Sequence, residues 1–274
     1  MNLTIINDTH IGAMRSGGTT PTTAYELRQW LLQQLEQVVE MSSSLLVLGD
    51  LFDTANVPMT DLLQTWQIFR KHVANGASLV LVAGNHDLSK NSMQLSSFQF
   101  LCKLLQAEFG DRVTCVFEPQ MLAHEGVYVI PHLPNQDLFN LALESVPACT
   151  YLLLHCNYDN GFATESDHSL NLSPEQAAKV PAKHIIIAHE HQASRRLEGK
   201  VIIPGNQFPS SVADCLGNDS KKLTLLQDDT FAFIGTWTAS GSFSEQDWRE
   251  LKDDGSQFIR VVGEASAAEA SEVV

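Results

Sequence analysis

The sequence predicts a layered α/β protein, and two features carry that prediction. Short, near-continuous apolar runs of β type recur along the chain, as strands covered on both faces require. Stretches with apolar residues at helical spacing fall between the early runs. A third feature points to a use for the fold: residue types that ligate metals stand directly after five of the runs.

Taken in order, Leu3–Ile6 is the first strand and Asp8-Thr9-His10 follows it. Arg15–Thr23 is a polar loop. Ala24–Met41 carries Leu27, Leu31, Leu35, Val38 and Val39 at helical spacing. Leu45–Leu48 is the next strand and leads into Gly49-Asp50-Leu51-Phe52-Asp53. A helix is expected over Asp61–Val73, with Asp61 as its N-cap. Leu79–Val82 runs into Gly84-Asn85-His86-Asp87. A third helix is expected over Met93–Phe109, where Phe98, Phe100, Leu101 and Leu104 suit either the core or a homodimer surface. Strands follow at Val113–Phe117, Val127–Ile130, Tyr151–Leu154 (then His155), Ile185–Ala188 (then His189-Glu190-His191) and Val201–Ile203. Beyond residue 200 only strands and turns are expected, including Leu223–Leu226 and Phe231–Ile234. They are assigned to a second, partly antiparallel sheet packed on the first. The main domain is drawn over 1–240. Residues 241–274 hold one further strand and an acidic tail expected to be disordered.

Bulk properties narrow the function classes. The chain has 274 residues, 44% hydrophobic and 18% charged, an ordinary composition for a soluble globular protein. It has no run of the roughly 18 to 20 apolar residues that a membrane span needs, and its start lacks a signal-peptide pattern. A cytoplasmic protein without a membrane partner is expected. Cysteines at 102, 115, 149, 156 and 215 form no Cys-x-x-Cys pair and read as free thiols. The net charge of −15 weighs against non-specific nucleic-acid binding. Part of that acid belongs to metal-type carboxylates, whose charge bound cations would offset.

The five strand-end clusters share one chemistry. Carboxylate, imidazole and amide oxygen suit divalent ions such as manganese, iron or zinc. Asp50 has the two oxygens that bridging a pair of ions requires. In Asp8-x-His10 and His189-x-His191, alternate residues of an extended chain point to one side. Each motif alone is weak, and Gly-Asn-His-Asp could be a simple turn. Their order and common position set them apart from His72, His124, His132, His168 and His184, which read as surface or core histidines.

On these motifs the sequence resembles the calcineurin-like metallophosphoesterase superfamily; one departure is Ala188, where glycine is usual. The resemblance implies a four-layer α-β-β-α sandwich of two mixed β-sheets flanked by helices. It implies two divalent metal ions, Mn²⁺ foremost and Mg²⁺, Fe²⁺ or Zn²⁺ as alternatives. Asp8, His10, Asp50 and His191 would hold one ion; Asp50, Asn85, His155 and His189 would hold the other. His86 would be the catalytic histidine, with Asp87 orienting it and Asp53 supporting the site. Within the superfamily, Asp8-Thr9-His10-Ile11-Gly12, Gly49-Asp50-Leu51-Phe52-Asp53 and Pro204-Gly205-Asn206-Gln207-Phe208 are most similar to the SbcD/Mre-type DNA repair nucleases. This implies a DNA exo- or endonuclease in repair, recombination or degradation, with an SbcC-like ATPase as partner. Arg15, Lys90, Arg195 and Arg196 are the candidate phosphate contacts. Gln257–Gly263 would be the first strand of a DNA-selecting cap. The alternative is a phosphodiesterase or phosphatase of small phosphoesters or cyclic nucleotides; a non-enzymatic binding module is disfavoured by the intact ligand set.

Overall fold

The structure, a computed structural model, describes residues 2–13, 21–91, 93–124, 126–160, 169–210, 214, 221–227, 230–237 and 243–264. Two six-stranded sheets form its centre. In the first, β1 (Asn2–Ile6), β2 (Ser44–Leu48), β3 (Ser78–Val82) and β4 (Val113–Val116) run parallel. In the second, β6 (Val127–Ile130), β7 (Cys149–His155), β10 (Ala182–Ala188) and β12 (Val201–Ile203) run parallel. Short antiparallel edges close that sheet at β5 (Gln120–Met121) and β11 (Ser194–Arg196). A small parallel pair, β8 (Asn157–Tyr158) with β9 (Asn171–Leu172), lies just beyond β7.

The side-chain period of two explains why the strands look apolar throughout. Leu46 and Leu48 of β2 join Leu3, Ile5, Val80, Tyr151, Leu153 and Ile186 in a core between the sheets. Leu45 and Val47 of the same strand face the helices α1 (Pro21–Met41), α2 (Met59–Ala74) and α3 (Ser97–Phe109). Leu152, Leu154, Ile185 and Ile187 face the far side and pack with α4 (Gln136–Glu144) and α5 (Pro174–Lys179). The result is a mixed α/β fold of four layers, helix, sheet, sheet, helix. Among the described residues no helix is long and apolar enough to cross a membrane.

Several expectations are corrected. Most of the strands after residue 200 do not build the second sheet. β12 sits inside it, whereas β13 (Lys221–Gln227) pairs antiparallel with β1 and β14 (Thr230–Trp237) pairs with β13, so both extend the first sheet. Asp61 is not an N-cap: Pro58 holds that position without a side-chain cap. Asp61 is instead fully buried and takes a bidentate bond from Arg28 of α1, at 2.8 Å from Nε and 2.7 Å from Nη2. The third helix starts at Ser97, not Met93, because Ser96 and Gln99 form a capping box. Ahead of it, Asn91 accepts the Met93 N–H in a turn. Phe98 and Leu101 are core, while Phe100 and Leu104 are 40% and 39% exposed. The helices α4 and α5 went unpredicted because each is short.

Among the described residues after 240, Phe243 and Phe258 join the core of the first helical layer. β15 (Phe243–Asp247) pairs parallel with β16 (Phe258–Val262). Phe243 and Phe258 pack edge-on against Trp30 of α1, with ring centroids 5.2 and 6.2 Å away. The segment expected to open a cap is thus paired with β15 and anchored on α1. The expected tail beyond 264 lies outside the described residues, as do Arg15, His168 and Cys215.

The Arg28–Asp61 pair fixes α1 against α2, and its loss has a definite expectation. Arg28→Met leaves a buried carboxylate without its partner and should cost about 3–5 kcal/mol. Urea unfolding reads this, and Arg28→Met/Asp61→Leu should recover most of the loss.

Candidate metal centre

Asp8, Asp50 and Asn85 stand just beyond the carboxyl ends of β1, β2 and β3; His155 closes β7 and His189 follows β10. Parallel pairing brings these ends level. Within the second sheet Ala188 pairs with His155. Backbone bonds then tie the loops together: Asp8 N–H to Gly49 O at 3.2 Å, His10 N–H to Asp50 O at 3.1 Å, and His132 N–H to Ala83 O at 2.9 Å across the sheets.

The backbone turns sharply where the side chains must converge. Asp8, His10, Asp50 and His189 all have left-handed φ, at 51°, 45°, 49° and 92°. Non-glycine residues rarely adopt such values, and clusters of them mark sites where packing over-determines the chain. Two glycines make the approach possible. A Cβ on Gly49 would lie 2.1 Å from His155 Nδ1, and one on Gly84 would lie 2.2 Å from Asp50 Oδ1. The Gly residues of these motifs are therefore spacers for ligand side chains, beyond their usual role in turns.

The side chains form three groups whose ligating atoms lie within 4.8 Å of one another: Asp8 with His10 and His191, Asp50 with His155 and His189, and His10 with Asp53 and His86. His10 Nε2 and His191 Nε2 converge to 3.1 Å. Asp8 Oδ2 accepts from Asn7 Nδ2 at 2.6 Å and from His189 N–H at 3.0 Å, while Oδ1 is buried without a hydrogen-bond partner. An unpartnered carboxylate oxygen beside two convergent imidazole nitrogens fits a cation. Asn85 Oδ1 lies 3.0 Å from His155 Nε2 and so belongs with the second group. His155 Nδ1 faces Leu48 O at 3.1 Å, which turns Nε2 toward Asp50 at 3.3 Å. Asp50 belongs to the second group and accepts the His86 N–H through Oδ1 at 2.9 Å.

The charges confirm how closely these groups are coupled. Burial alone would raise the Asp50 pKa, but His155, His10 and His86 outweigh it and hold the carboxyl well below the usual range. Burial would lower that of His155, yet the Asp50 charge and hydrogen bond, with Asp8 behind them, raise it to about 9. For His191 too, burial opposes a rise that its bond to Asp214 and the charge of Asp8 produce.

The structure gives Asp87 another position than expected. Its carboxylate does not meet His86; it accepts backbone N–H groups from Gly84 at 2.9 Å, Phe52 at 3.1 Å and Leu51 at 3.4 Å. Asp87 thereby locks the second and third motif loops together. Burial first, then the Asp50 charge, push its pKa up to about 7 against the Gly84 and Phe52 donors. His86 Nδ1 is held instead by the Asp53 carbonyl at 2.6 Å. Asp53 also places Oδ1 3.3 Å from His10 Nδ1.

Lys90, Arg195 and Arg196 are exposed. His72, His124, His132 and His184 fall in none of the three donor groups. Sequence reasoning missed Asn7, Gln207 and Asp214, which hold ligands from behind. His191 Nδ1 and Asp214 Oδ1 are 2.8 Å apart. The one available signal was Pro204-Gly205-Asn206-Gln207-Phe208, read for likeness rather than for contacts.

Hard oxygen and imidazole donors in two groups, each with its own carboxylate, suit a pair of divalent ions and phosphoester chemistry. The class so defined is a metal-dependent phosphoesterase. The calcineurin-like phosphoesterase model matches residues 1–193, and the chain belongs to that family. No curated protein matches the chain. Similar solved structures include an archaeal phosphodiesterase (11% identity, 85% of this chain and 99% of that one, TM-score 0.40). Another is a cold-active protein-tyrosine phosphatase of a psychrophile, Shewanella SP. (13%, 86% and 78%, 0.42). A third is a purple acid phosphatase from yellow lupin, Lupinus luteus, seeds (13%, 82% and 48%, 0.39).

Two outcomes follow from this geometry. Gly84→Ala must push Asp50 aside, so the folded variant should lose metal by elemental analysis while its far-UV circular dichroism stays unchanged. Metal binding should also release protons. His155 is protonated in the ion-free chain below about pH 9, and only the neutral imidazole ligates. Affinity should therefore rise with pH and level off above about 9, with the proton count read by calorimetry in buffers of different ionisation enthalpy.

Proposed function

We propose that the protein is a phosphodiesterase acting on DNA, with Asp8, His10, Asp50 and His191 holding one divalent ion and Asp50, Asn85, His155 and His189 the other. The observation that carries the phosphoesterase part is the pair of donor groups, Asp8 with His10 and His191 and Asp50 with His155 and His189, with His86 beside His10. Two ions held there would supply Lewis acidity toward phosphoryl oxygens and would lower the pKa of bound water.

The chain's own residues do the rest. Asp50 sets Oδ2 3.3 Å from His155 Nε2 and takes the His86 N–H on Oδ1. The Asp53 carbonyl accepts a hydrogen bond from His86 Nδ1–H and leaves Nε2 for the substrate. As imidazolium, His86 donates the Nε2 proton to the leaving alkoxide and becomes neutral. The His86 ring stands edge-on to His10, with centroids 5.2 Å apart, which holds it beside the first donor group.

Three things support DNA as the substrate. The strand-end motifs and the Pro204–Phe208 segment are most similar to SbcD/Mre-type nucleases. Lys90, Arg195 and Arg196 are exposed in loops and a strand that continue from the motifs. Asn85, His86, His189 and His191 are only half-buried, while Asp8, His10, Asp50 and His155 are buried, so the site opens on one side. An SbcC-like ATPase as partner and Mn²⁺ as the working ion belong to the same proposal. A small phosphoester or cyclic nucleotide is the second reading, favoured by the net charge of −15.

The deciding assay uses end-labelled single- and double-stranded DNA with Mn²⁺ or Mg²⁺, beside bis-p-nitrophenyl phosphate and cyclic nucleotides. DNA cleavage that Asp8→Ala abolishes is expected. Strong small-ester turnover without DNA cleavage at any salt concentration would favour the second reading. His86→Ala should keep its metal content and lose about 10²–10⁴-fold in turnover; unchanged turnover removes His86 from the mechanism.

A further inference from the structure

We infer that Gln207 and Asp214, which follow β12, brace one half of the metal centre, the half built from Asp8, His10 and His191. This rests on the two-ion reading above and deepens it.

Two independent contacts carry the inference. The first is at His191. Its Nδ1 lies 2.8 Å from Asp214 Oδ1, and Asp214 is 7% exposed. The other Asp214 oxygen accepts the Ser210 N–H at 3.0 Å and the Ser210 hydroxyl at 3.2 Å, so the carboxylate itself is fixed. A carboxylate on Nδ1 keeps the proton there and leaves the Nε2 lone pair for ligation. That Nε2 is the atom 3.1 Å from His10 Nε2.

The second contact is at Asp8. Gln207 makes a reciprocal pair with Asn7: Asn7 N–H donates to Gln207 Oε1 at 2.7 Å, and Gln207 Nε2 donates to Asn7 Oδ1 at 3.1 Å. Asn7 Nδ2 in turn donates to Asp8 Oδ2 and to Gly205 O. Asn7, Gln207 and Asp8 are all fully buried. The chain of bonds occupies Asp8 Oδ2 and turns Oδ1, which has no hydrogen-bond partner, toward His10 and His191.

The other half is set from elsewhere. His155 is set by Leu48 O of β2, and Asp50 by the His86 N–H. The two ions would therefore depend on different parts of the chain. Asp214 and Gln207 are positioning residues for one ion, not catalytic residues.

The test is a Mn²⁺ titration of the full chain by calorimetry, with Co²⁺ absorption as a spectroscopic readout of coordination. The wild-type chain should bind two ions. Asp214→Ala should weaken one of them by about 10–100-fold, the usual effect of losing such a partner, and leave the other unchanged. Gln207→Ala should weaken the same ion. Thermal melting in chelator should match wild type for either variant that folds normally; if Asp214→Ala does not fold, Asp214→Asn keeps the side chain's shape and should weaken the same ion by less. Two ions bound at wild-type affinity in the variant would overturn the brace, as would equal loss of both. A wild-type chain that binds fewer than two ions would overturn the two-ion reading itself, and that is seen before any variant is made.

Discussion

The structure depends on keeping the Asp50 carboxylate charged where almost no water reaches it. An isolated buried carboxylate is costly, by several kcal/mol even after relaxation. Here the charge is met by His155, by His10 and His86 nearby, and by the His86 backbone N–H. Those partners must crowd close, which is why Gly84 and Gly49 leave no room for a side chain. They must also come from different strands, so the loops turn through left-handed conformations at Asp8, His10, Asp50 and His189. Each such residue costs of order 1–3 kcal/mol. The apolar sandwich offsets that strain, and the strain is local to the site it serves.

Asp87 shows the same constraint from a second direction. A carboxylate near Asp50 adds repulsion to burial, and three backbone donors are what keep it in place. Its role is to weld two loops whose side chains must meet. A histidine-orienting role would have needed its carboxylate beside His86, where the Asp53 carbonyl sits instead.

Much of this was legible in the sequence. Strand-end motifs could be read because a parallel strand buried on both faces is continuously apolar and stops abruptly at its polar ligand. Leu45–Leu48 into Gly49-Asp50 is such a boundary. What was not legible depends on pairing across long sequence separation. Leu223–Leu226 reads the same whether it lies beside β1 or in another sheet, and only the tertiary fold places it at Leu3 and Thr4. Asp61 looked like a cap because local rules favour Asp there. Arg28, 33 residues away, overrides them. Asp214 lies 23 residues from His191, with no local signal to link them.

The position of the centre at the end of the sandwich now has a physical reason. One donor group takes Asp8 and His10 from the first sheet and His191 from the second; the other takes Asp50 from the first and His155 and His189 from the second. Neither group can form within one sheet. The geometry is therefore only as fixed as the packing of sheet on sheet, which Leu3, Ile5, Leu46, Leu48, Leu153 and Ile186 supply directly beneath the ligands. Close-packed cores resist small displacements, and sub-ångström placement is what ligand sets of imidazole and carboxylate demand. The same apolar residues that make the strands recognisable in sequence thus hold the two halves of the centre in register.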